Sequence, residues 1–283
     1  MQFNKITIIG LGLIGGSLAW ALKETDEVET VVGIDPDKES LEYALGKGII
    51  DKGYSDINEG VPGAEIIVIS THVGVIADTA KSIFPVATES AIITDVGSVK
   101  SSIVKGVEAE LPENLHFIGG HPIAGTENSG VHSADSTLFK GRRCILTPTQ
   151  KTDSQAKSKV KSMWELVGSE VHEMDSETHD HIFGIVSHLP HIVAYSLINT
   201  VLSAEDSEKL LEFAGGGLKD YTRVAASSPE MWGEIFKANK SRLLDAISMF
   251  KNSLREIEEA IESEDFDTLK KKLDKAAKAK RGL

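Results

Sequence analysis

The strongest constraint on the fold is the stretch from Lys5 to Ser17, which reads KITIIGLGLIGGS. A β-branched apolar run ends at Gly10, and glycines 10, 12 and 15 follow in the G-x-G-x-x-G spacing before an Ala- and Leu-rich helical pattern. The order strand, tight turn and helix lets a dinucleotide pyrophosphate approach bare backbone, where the helix N-terminus attracts its charge. The stretch therefore predicts a dinucleotide-binding βαβ unit. Its predicted phosphate-binding residues are Gly10, Gly12, Leu13, Ile14 and Gly15.

The residue that follows the next strand-like run indicates which dinucleotide is bound. The run from Thr30 to Ile34 ends in Asp35, twenty residues after Gly15. A carboxylate there accepts hydrogen bonds from the adenosine ribose hydroxyls and repels a 2′-phosphate, which favours NAD over NADP. Lys38 can soften this preference, and a solvated Asp beside an ordinary glycine turn is the structural alternative. Two residues at the end of a further strand-like run complete the expected cofactor site, namely Ser70 and Thr71.

Composition excludes several classes of protein. The chain has 283 residues, of which 41% are hydrophobic and 26% charged, and its formal net charge is −13. This negative charge argues against nucleic acid or an anionic membrane as the main partner. Cys144 is the only cysteine, so no internal disulfide can form and a reducing compartment is expected. We see no signal-peptide pattern and no apolar run near the ~20 residues of a membrane span, so we expect a cytoplasmic protein.

The character of the sequence changes near residue 175. Before it, short apolar runs alternate with helical patterns, which is typical of a doubly wound parallel sheet. After it, only long helical patterns follow. We predict an α/β chain with an N-terminal Rossmann-type NAD-binding domain at residues 1–174. An all-helical domain for substrate binding and dimerisation follows at residues 175–283.

Two helical patterns in the second part have functional implications. Residues 176–202 predict one long helix that Pro190 kinks, with one face formed by His181, Gly184, His188, His191 and Tyr195. The pair His188 and His191 has the i,i+3 spacing of metal ligands, but no cysteine or third ligand at a fixed spacing accompanies it, so no metal is predicted.

A second pattern concerns assembly. Apolar residues recur at spacings of 4 and 3 with charges between them, at Leu243, Ile247, Phe250, Leu254, Ile257 and Ile261. Such a seam requires a partner helix. It can pack inside one chain, but we expect a homodimer through the helical domain.

Four polar stretches are candidates for one crevice between the two domains. They are Ser98, the segment from His121 to Glu127, the pair His188 and His191, and the pair Lys219 and Arg223. Hydride transfer to NAD from a hydroxyl-bearing carbon needs a base, and neutral histidine suits that role near pH 7. A carboxylated substrate needs a cation such as the guanidinium fork of arginine. The residues alone therefore predict an NAD-dependent oxidoreductase that acts on a small acidic substrate.

Each of these residues also has a purely structural alternative. Ser98 can cap a helix predicted at residues 99–111. His121, which precedes a proline at a strand end, can simply bond to the backbone. Arg223 can cap a helix C-terminus or form a surface ion pair.

At these positions the sequence resembles the prephenate dehydrogenases, a family of tyrosine biosynthesis that includes arogenate and cyclohexadienyl dehydrogenases. The pair of motifs HPIAGTE and SHLPH is quite specific. The matching motifs span residues 6 to 232 in the expected order: GLGLIGGS, TDVGSVK at Thr94–Lys100, GGHPIAGTENSG at Gly119–Gly130, SHLPH at Ser187–His191, and GGGLKDYTR at Gly215–Arg223, with Pro229, Met231 and Trp232.

The resemblance implies NAD-dependent oxidative decarboxylation of prephenate to 4-hydroxyphenylpyruvate. His121 would take or hold the ring hydroxyl proton as hydride leaves the same carbon, and Ser98 would orient His121. Loss of the ring carboxylate makes the ring aromatic and the reaction effectively one-way. The substrate-binding residues implied by the resemblance are His191, Arg223, Thr126, Glu127, His188, Lys219 and Trp232. His72 is a departure, since relatives usually have proline there.

Three alternatives remain open at this point. An arogenate dehydrogenase would form tyrosine directly from a substrate with an amino group in place of the keto group. A β-hydroxyacid dehydrogenase would be expected to use a lysine in the helical domain, and would leave HPIAGTE unexplained. A non-catalytic dimer that senses NAD would bind the cofactor without turnover.

Overall fold

The computed structural model describes residues 2–126 and 128–282 and contains an eight-stranded sheet at its N-terminal end. The strands are β1 Phe3–Ile9, β2 Val28–Ile34, β3 Lys52–Tyr54, β4 Ile66–Ile69, β5 Ile92–Asp95, β6 His116–Pro122, β7 Arg143–Thr147 and β8 Glu170–Glu173. Their order is β3-β2-β1-β4-β5-β6-β7-β8, and β6 pairs with β7 antiparallel while the other pairs are parallel. The predicted α/β class, with a doubly wound sheet followed by helices, is confirmed.

Alternate residues of the central strands pack on opposite faces of this sheet. In β1, Ile8 belongs to one apolar core, and Ile9 belongs to the core on the other face. In β4, Val68 and Ile69 divide in the same way. Because both faces are covered, these strands are almost continuously apolar, as parallel strands usually are. Strand β3 was missed by the sequence analysis because it has only three residues and its side chains are partly exposed.

Thirteen α-helices lie in the described residues. They are α1 Leu13–Lys23, α2 Lys38–Gly46, α3 Ile57–Gly60, α4 Ile76–Ile83, α5 Ser101–Glu108, α6 Ser154–Leu166, α7 Ser176–Phe183, α8 Leu189–Leu202, α9 Ser207–Glu212, α10 Gly216–Thr222, α11 Pro229–Ala238, α12 Lys240–Glu262 and α13 Phe266–Lys280. Short 3-10 segments lie at Val73–Val75, Val131–Ser133 and Arg223–Ala226.

The long helix predicted over residues 176–202 is present, but it is not α-helical throughout. A π turn, Gly184–His188, separates α7 from α8, and Pro190 lies in the first turn of α8. A π turn adds one residue to the usual spacing, so side chains before and after it are rotated by about 100° relative to a straight helix. As a result, His181 is exposed, whereas His179 is fully buried.

One other local expectation also needs correction. The helix predicted at residues 99–111 begins only at Ser101, and Ser98 does not cap it. Gly215 is the N-cap of α10, and Gly216 and Gly217 lie in its first turn.

By length and composition, the stretch Ser176–Leu202 is long and apolar enough to cross a membrane. The expectation that no apolar run approaches this length is therefore wrong. Length and composition alone do not establish a span, because helices of soluble proteins meet the same criteria.

The chain divides into two compact units, of which the first ends at Asn239 and the second begins at Lys240. The second unit consists of α12 and α13, joined by an ion pair of 2.5 Å between Lys272 and Glu256. The domain boundary predicted between residues 174 and 175 lies inside the first unit and stays a prediction.

The glycine turn gives a test of the first unit. A Cβ on Gly15 would lie 2.0 Å from the carbonyl oxygen of Gly10, where only backbone can yield. We expect Gly15→Ala to lower the free energy of unfolding by about 1–3 kcal/mol, the usual cost of overpacking. Gly46→Ala is the matched control, because its helical Cβ meets nothing within 4 Å. Urea denaturation measures both, and equal stability of the two variants would contradict the packing argument.

Candidate active site

His121 lies at the carboxyl end of β6 and forms the start of a buried hydrogen-bonded chain. Its Nδ1 lies 2.8 Å from Nε2 of His179 in α7, and the His179 Nδ1 lies 2.9 Å from Oδ1 of Asp180. Phe183 packs against both imidazoles, with ring centroids 5.0 Å from His121 and 4.5 Å from His179. The alternative that His121 simply bonds to the backbone is therefore wrong for Nδ1.

Asp180 is held by the backbone at the start of α5. Its Oδ1 accepts the N–H of Lys100 at 2.7 Å, and its Oδ2 accepts the N–H of Ser101 at 2.9 Å. These N–H groups lie at a helix N-terminus, where a carboxylate is favoured. The Asp180 carboxylate thus replaces the cap that the sequence assigned to Ser98.

A buried ion pair lies beneath the same strand ends. Lys100 Nζ contacts Asp95 Oδ2, and it also donates to the carbonyl oxygen of Gly120 at 2.8 Å. Asp95 in turn accepts the N–H of Gly97 at 2.8 Å and that of Gly120 at 3.2 Å. Both ionic side chains are completely buried. The pair therefore ties β5 to the residue that precedes His121.

The environment keeps the His121 imidazole neutral. Burial lowers its pKa well below the usual value, and the positive charges of protonated His179 and of Lys100 would oppose a further proton. Burial also lowers the pKa of His179, although its hydrogen bond to Asp180 acts in the opposite direction. A neutral imidazole is the form that can accept a proton.

His188 lies inside the same cluster. Its Nδ1 is 3.1 Å from the side-chain nitrogen of Asn239, which also donates to the carbonyl oxygen of Asp180 at 2.8 Å. Burial lowers the pKa of His188 to about 4, and the Asp180 charge and the Ser98 backbone partly offset this effect. The structure therefore brings Ser98 and His188 together.

A second group of predicted residues forms around Trp232. The His191 ring stacks on Trp232 with centroids 3.5 Å apart, and Trp232 packs with Val99 and Ile235 in a small apolar core. The Nδ1–H of His191 donates to the carbonyl oxygen of Ser187 at 2.9 Å, because a carbonyl oxygen can only accept. Burial lowers the pKa of His191, and the nearby charge of Arg223 lowers it further.

The positions of the remaining substrate-binding candidates differ. Arg223 is exposed and stands at the C-cap position of α10. Lys219 and Thr126 are exposed, and in the described part of the chain no hydrogen bond joins them to the histidine cluster. Glu127 lies outside the described residues.

The predicted cofactor residues lie around the glycine turn at the carboxyl end of β1. Gly10 has a φ of +93°, and a Cβ on it would lie 2.5 Å from the carbonyl oxygen of Ser70. A Cβ on Gly12 would meet nothing within 4 Å, so the space beside this backbone is open. Helix α1 starts at Leu13 and continues through Ile14, without a side-chain cap. Its first N–H groups can therefore bind phosphate.

Asp35 and Thr71 border the same turn. Asp35 Oδ2 accepts the N–H of Leu11 at 2.8 Å. The carboxylate is therefore bonded to the glycine turn, in contrast to the alternative of a merely solvated side chain. The Thr71 hydroxyl is buried and has no hydrogen-bond partner among the described residues. These features fit a dinucleotide whose ribose and phosphates supply hydroxyl groups and acceptors.

Several residues of the cluster were not identified from the sequence. They are Asp95, Lys100, His179, Asp180 and Asn239. Asp95 and Lys100 could have been identified, because they lie in the motif TDVGSVK. His179 and Asp180 had none, because regular α-helical spacing along residues 176–202 directed attention to His181. Among the described residues, no group of three or more His, Cys, Asp or Glu side chains is arranged to hold a metal ion.

Comparisons with known proteins identify the family to which the whole chain is similar. The model of the prephenate dehydrogenase nucleotide-binding domain matches residues 18–173, and that of the dimerization domain matches residues 175–275. The prephenate dehydrogenase of Bacillus subtilis is 38% identical over 270 residues, which cover 94% of this chain and 72% of that protein. The cyclohexadienyl dehydrogenase of Zymomonas mobilis is 35% identical over 283 residues, with 99% and 96% covered.

A solved structure shares the whole fold. The crystal structure of prephenate dehydrogenase from A. aeolicus, in complex with hydroxyphenyl propionate and NAD+, is 39% identical with a TM-score of 0.93. The comparison covers 99% of this chain and 98% of that one.

The fold and the site define an oxidoreductase with a nucleotide-binding sheet domain and a helical C-terminal part. The family models and the relatives then identify it further. The chain belongs to the prephenate dehydrogenase family.

The buried histidines give a pH test. In an unfolded chain His188 has the ordinary pKa of 6.5, whereas in the fold it is about 4. Between these values the unfolded chain binds more protons, so stability is present above pH 6.5 and is lost as the pH falls. We expect His188 alone to cost about 2 kcal/mol between pH 7.5 and pH 5.0.

Urea denaturation of His188→Gln at both pH values measures this contribution. The variant should lose about 2 kcal/mol less than wild type on acidification. His172→Gln, at an exposed position of β8, is the control and should lose as much as wild type. An identical loss in His188→Gln and wild type would show that His188 is not buried in its neutral form.

Proposed function

We propose that this protein catalyses NAD-dependent oxidative decarboxylation of prephenate to 4-hydroxyphenylpyruvate. The observation that carries the proposal is the partly buried, neutral imidazole of His121 at the carboxyl end of β6. Strands β1, β4, β5 and β6 are parallel, so this imidazole lies at the same edge of the sheet as the glycine turn. Ligands of open α/β sheets bind at that edge.

The cofactor is NAD in this proposal. Gly10, Gly12, Leu13, Ile14 and Gly15 would hold the pyrophosphate, and Asp35 would bind the adenosine ribose. Ser70 and Thr71 would border the ribose nearer the nicotinamide. Support comes from the open backbone at Gly12, the uncapped α1 and the NAD+ in the A. aeolicus structure. Bound NAD supplies the hydride acceptor.

His121 would act as the base. Its Nε2 takes the proton of the ring hydroxyl as the hydride leaves the same carbon, and the carbon–oxygen bond becomes a carbonyl. The bond to the ring carboxylate then breaks, carbon dioxide leaves, and its electron pair makes the ring aromatic. The proton on His121 returns to the ring oxygen, so no proton is released overall. Ser98 would orient the imidazole and the substrate hydroxyl.

The other residues would bind the acidic substrate. Arg223 and His191 would bind the carboxylate and the side-chain oxygens, and Trp232, on which His191 stacks, would form a wall of the pocket. His188 would border the ring. The buried Trp232 Nε1 has no hydrogen-bond partner among the described residues, which supports a polar ligand beside it. Thr126, Glu127 and Lys219 are further candidates.

Arogenate is the second candidate substrate. It differs from prephenate by an amino group in place of the side-chain keto group, and its product would be tyrosine. The Zymomonas mobilis relative supports this candidate, because it is named a cyclohexadienyl dehydrogenase, a name that is not restricted to prephenate.

The protein is further proposed to be a cytoplasmic homodimer. Leu254 and Ile261 of α12 are 54% and 53% exposed in the single chain, and the helical family model describes a dimerization domain. A partner helix would cover this apolar stripe. Sedimentation equilibrium should give twice the chain mass at micromolar concentration, and a monomer there would contradict the dimer.

Kinetics with both acids test the function. NADH formation at 340 nm should follow addition of prephenate or arogenate to the wild-type protein. We expect His121→Asn to lower kcat by about 10²- to 10⁴-fold, the contribution of a general base, with KM little changed. Arg223→Ala should instead raise KM by about 10- to 100-fold, as expected for loss of a charged hydrogen bond.

His172→Asn and Arg142→Ala are the matched controls, because both residues are exposed. They should retain wild-type kinetics. Wild-type kinetics in His121→Asn would remove this residue from the mechanism. NAD binding without turnover of either acid would favour a sensor.

A further inference from the structure

Each hydrogen bond in the chain from His121 to Asp180 has a donor and an acceptor, and the chemistry of these side chains determines which atom is which. We call this assignment the direction of the chain. We propose that His179 and Asp180 are positioning residues that hold His121 in the tautomer with an unprotonated Nε2. The inference rests on the proposed function, in which that nitrogen takes the substrate proton. Neither residue needs to touch the substrate for this role.

The direction starts at Asp180. An ionised carboxylate only accepts hydrogen bonds. Two backbone N–H groups hold this carboxylate at 2.7 and 2.9 Å, and these bonds lower its pKa although burial acts in the opposite direction. The carboxylate is therefore fixed in position and ionised, and His179 Nδ1 at 2.9 Å must be the donor.

The direction then passes through His179. This ring is completely buried, and burial lowers its pKa, so the neutral form carries one proton only. Since that proton is on Nδ1, Nε2 is the acceptor. The atom 2.8 Å away, Nδ1 of His121, must then carry a proton. Neutral His121 is left with a free lone pair on Nε2.

The same chain stabilises the protonated state of His121. When Nε2 takes a proton, the Nδ1–H becomes a stronger donor to His179, and the negative charge of Asp180 lies one ring further on. Phe183 contacts both rings and fixes their planes. This is the logic by which a buried carboxylate orients a histidine in hydrolase triads, here with a second imidazole between them.

Several titratable groups lie around His121. Lys100 follows β5, His188 lies in the π turn and His179 in α7, and these three lower the pKa of His121. Asp95 in β5, Cys144 in β7 and Asp180 in α7 lie beside them. Because all but one of these stay unchanged in a His179 variant, a shift of the pH profile in that variant reports on His179.

Nitrogen NMR of histidine side chains tests the tautomer directly. Wild type and His121→Asn are labelled with 15N-histidine and measured at pH 8. The wild-type signals that are absent from the variant spectrum belong to His121. We expect a protonated Nδ1 and an unprotonated Nε2. In His179→Phe, which keeps a ring but removes both nitrogens, the two tautomers should become mixed. A wild-type His121 protonated on Nε2 would overturn the proposal, and this measurement needs no substrate and no His179 variant.

Kinetics separate positioning from mere packing. In His179→Phe, kcat should fall by about 10- to 100-fold, as for partners that orient a reacting group, while KM changes little. The acid limb of the kcat profile should move to lower pH, because imidazolium at residue 121 has lost its acceptor. His179→Gln, whose amide oxygen can accept from His121, should recover part of kcat.

His172→Phe is the control for a histidine-to-phenylalanine change at an exposed site. If folded His179→Phe keeps the wild-type kcat and pH profile, the role of His179 is packing alone and the proposal fails. If wild type oxidises neither acid, the proposed function fails, while the NMR result still decides the tautomer.

Discussion

The buried negative charge of Asp180 is the constraint on which the site depends. Burial of a carboxylate is costly unless hydrogen bonds and opposite charge compensate it. Here two backbone N–H groups at the start of α5 and the ring of His179 supply that compensation. Because α5 follows β5 in the sheet, this compensation fixes α7 against the strand ends. His121, at the end of the neighbouring strand, is fixed by the same contacts.

The Asp95 and Lys100 pair adds a second compensated charge in the same layer. Lys100 contributes its side chain to Asp95 and its backbone N–H to Asp180, so one residue serves both carboxylates. Its positive charge lies near His121 and opposes protonation of that imidazole. The site therefore combines a base that is kept neutral with a chain of acceptors that is ready to stabilise its protonated form.

Substrate selection is a separate matter from the acid–base chemistry. The ring of His191 and the indole of Trp232 come from α8 and α11, whereas the base comes from the sheet. Relatives that share most of this chain are named for prephenate and for cyclohexadienyl substrates. In our proposal the ring is oxidised by the same histidine in either case, and residues near the substrate side chain distinguish the keto group from the amino group.

The sequence by itself determined the sheet, the glycine turn and most of the residues at its edge. The apolar runs of β1 and β4, and the close-packed glycines Gly10 and Gly15, are local properties, and local properties can be read from a sequence. His121, Ser98, His188 and His191 were identified because they lie in specific motifs. Only the tertiary structure decided that His179 and Asp180 join them, while His181 faces solvent. The physical reason is the π turn before Pro190, which rotates α7 relative to α8, and the compensation of the Asp180 charge by a helix start 80 residues earlier in the chain.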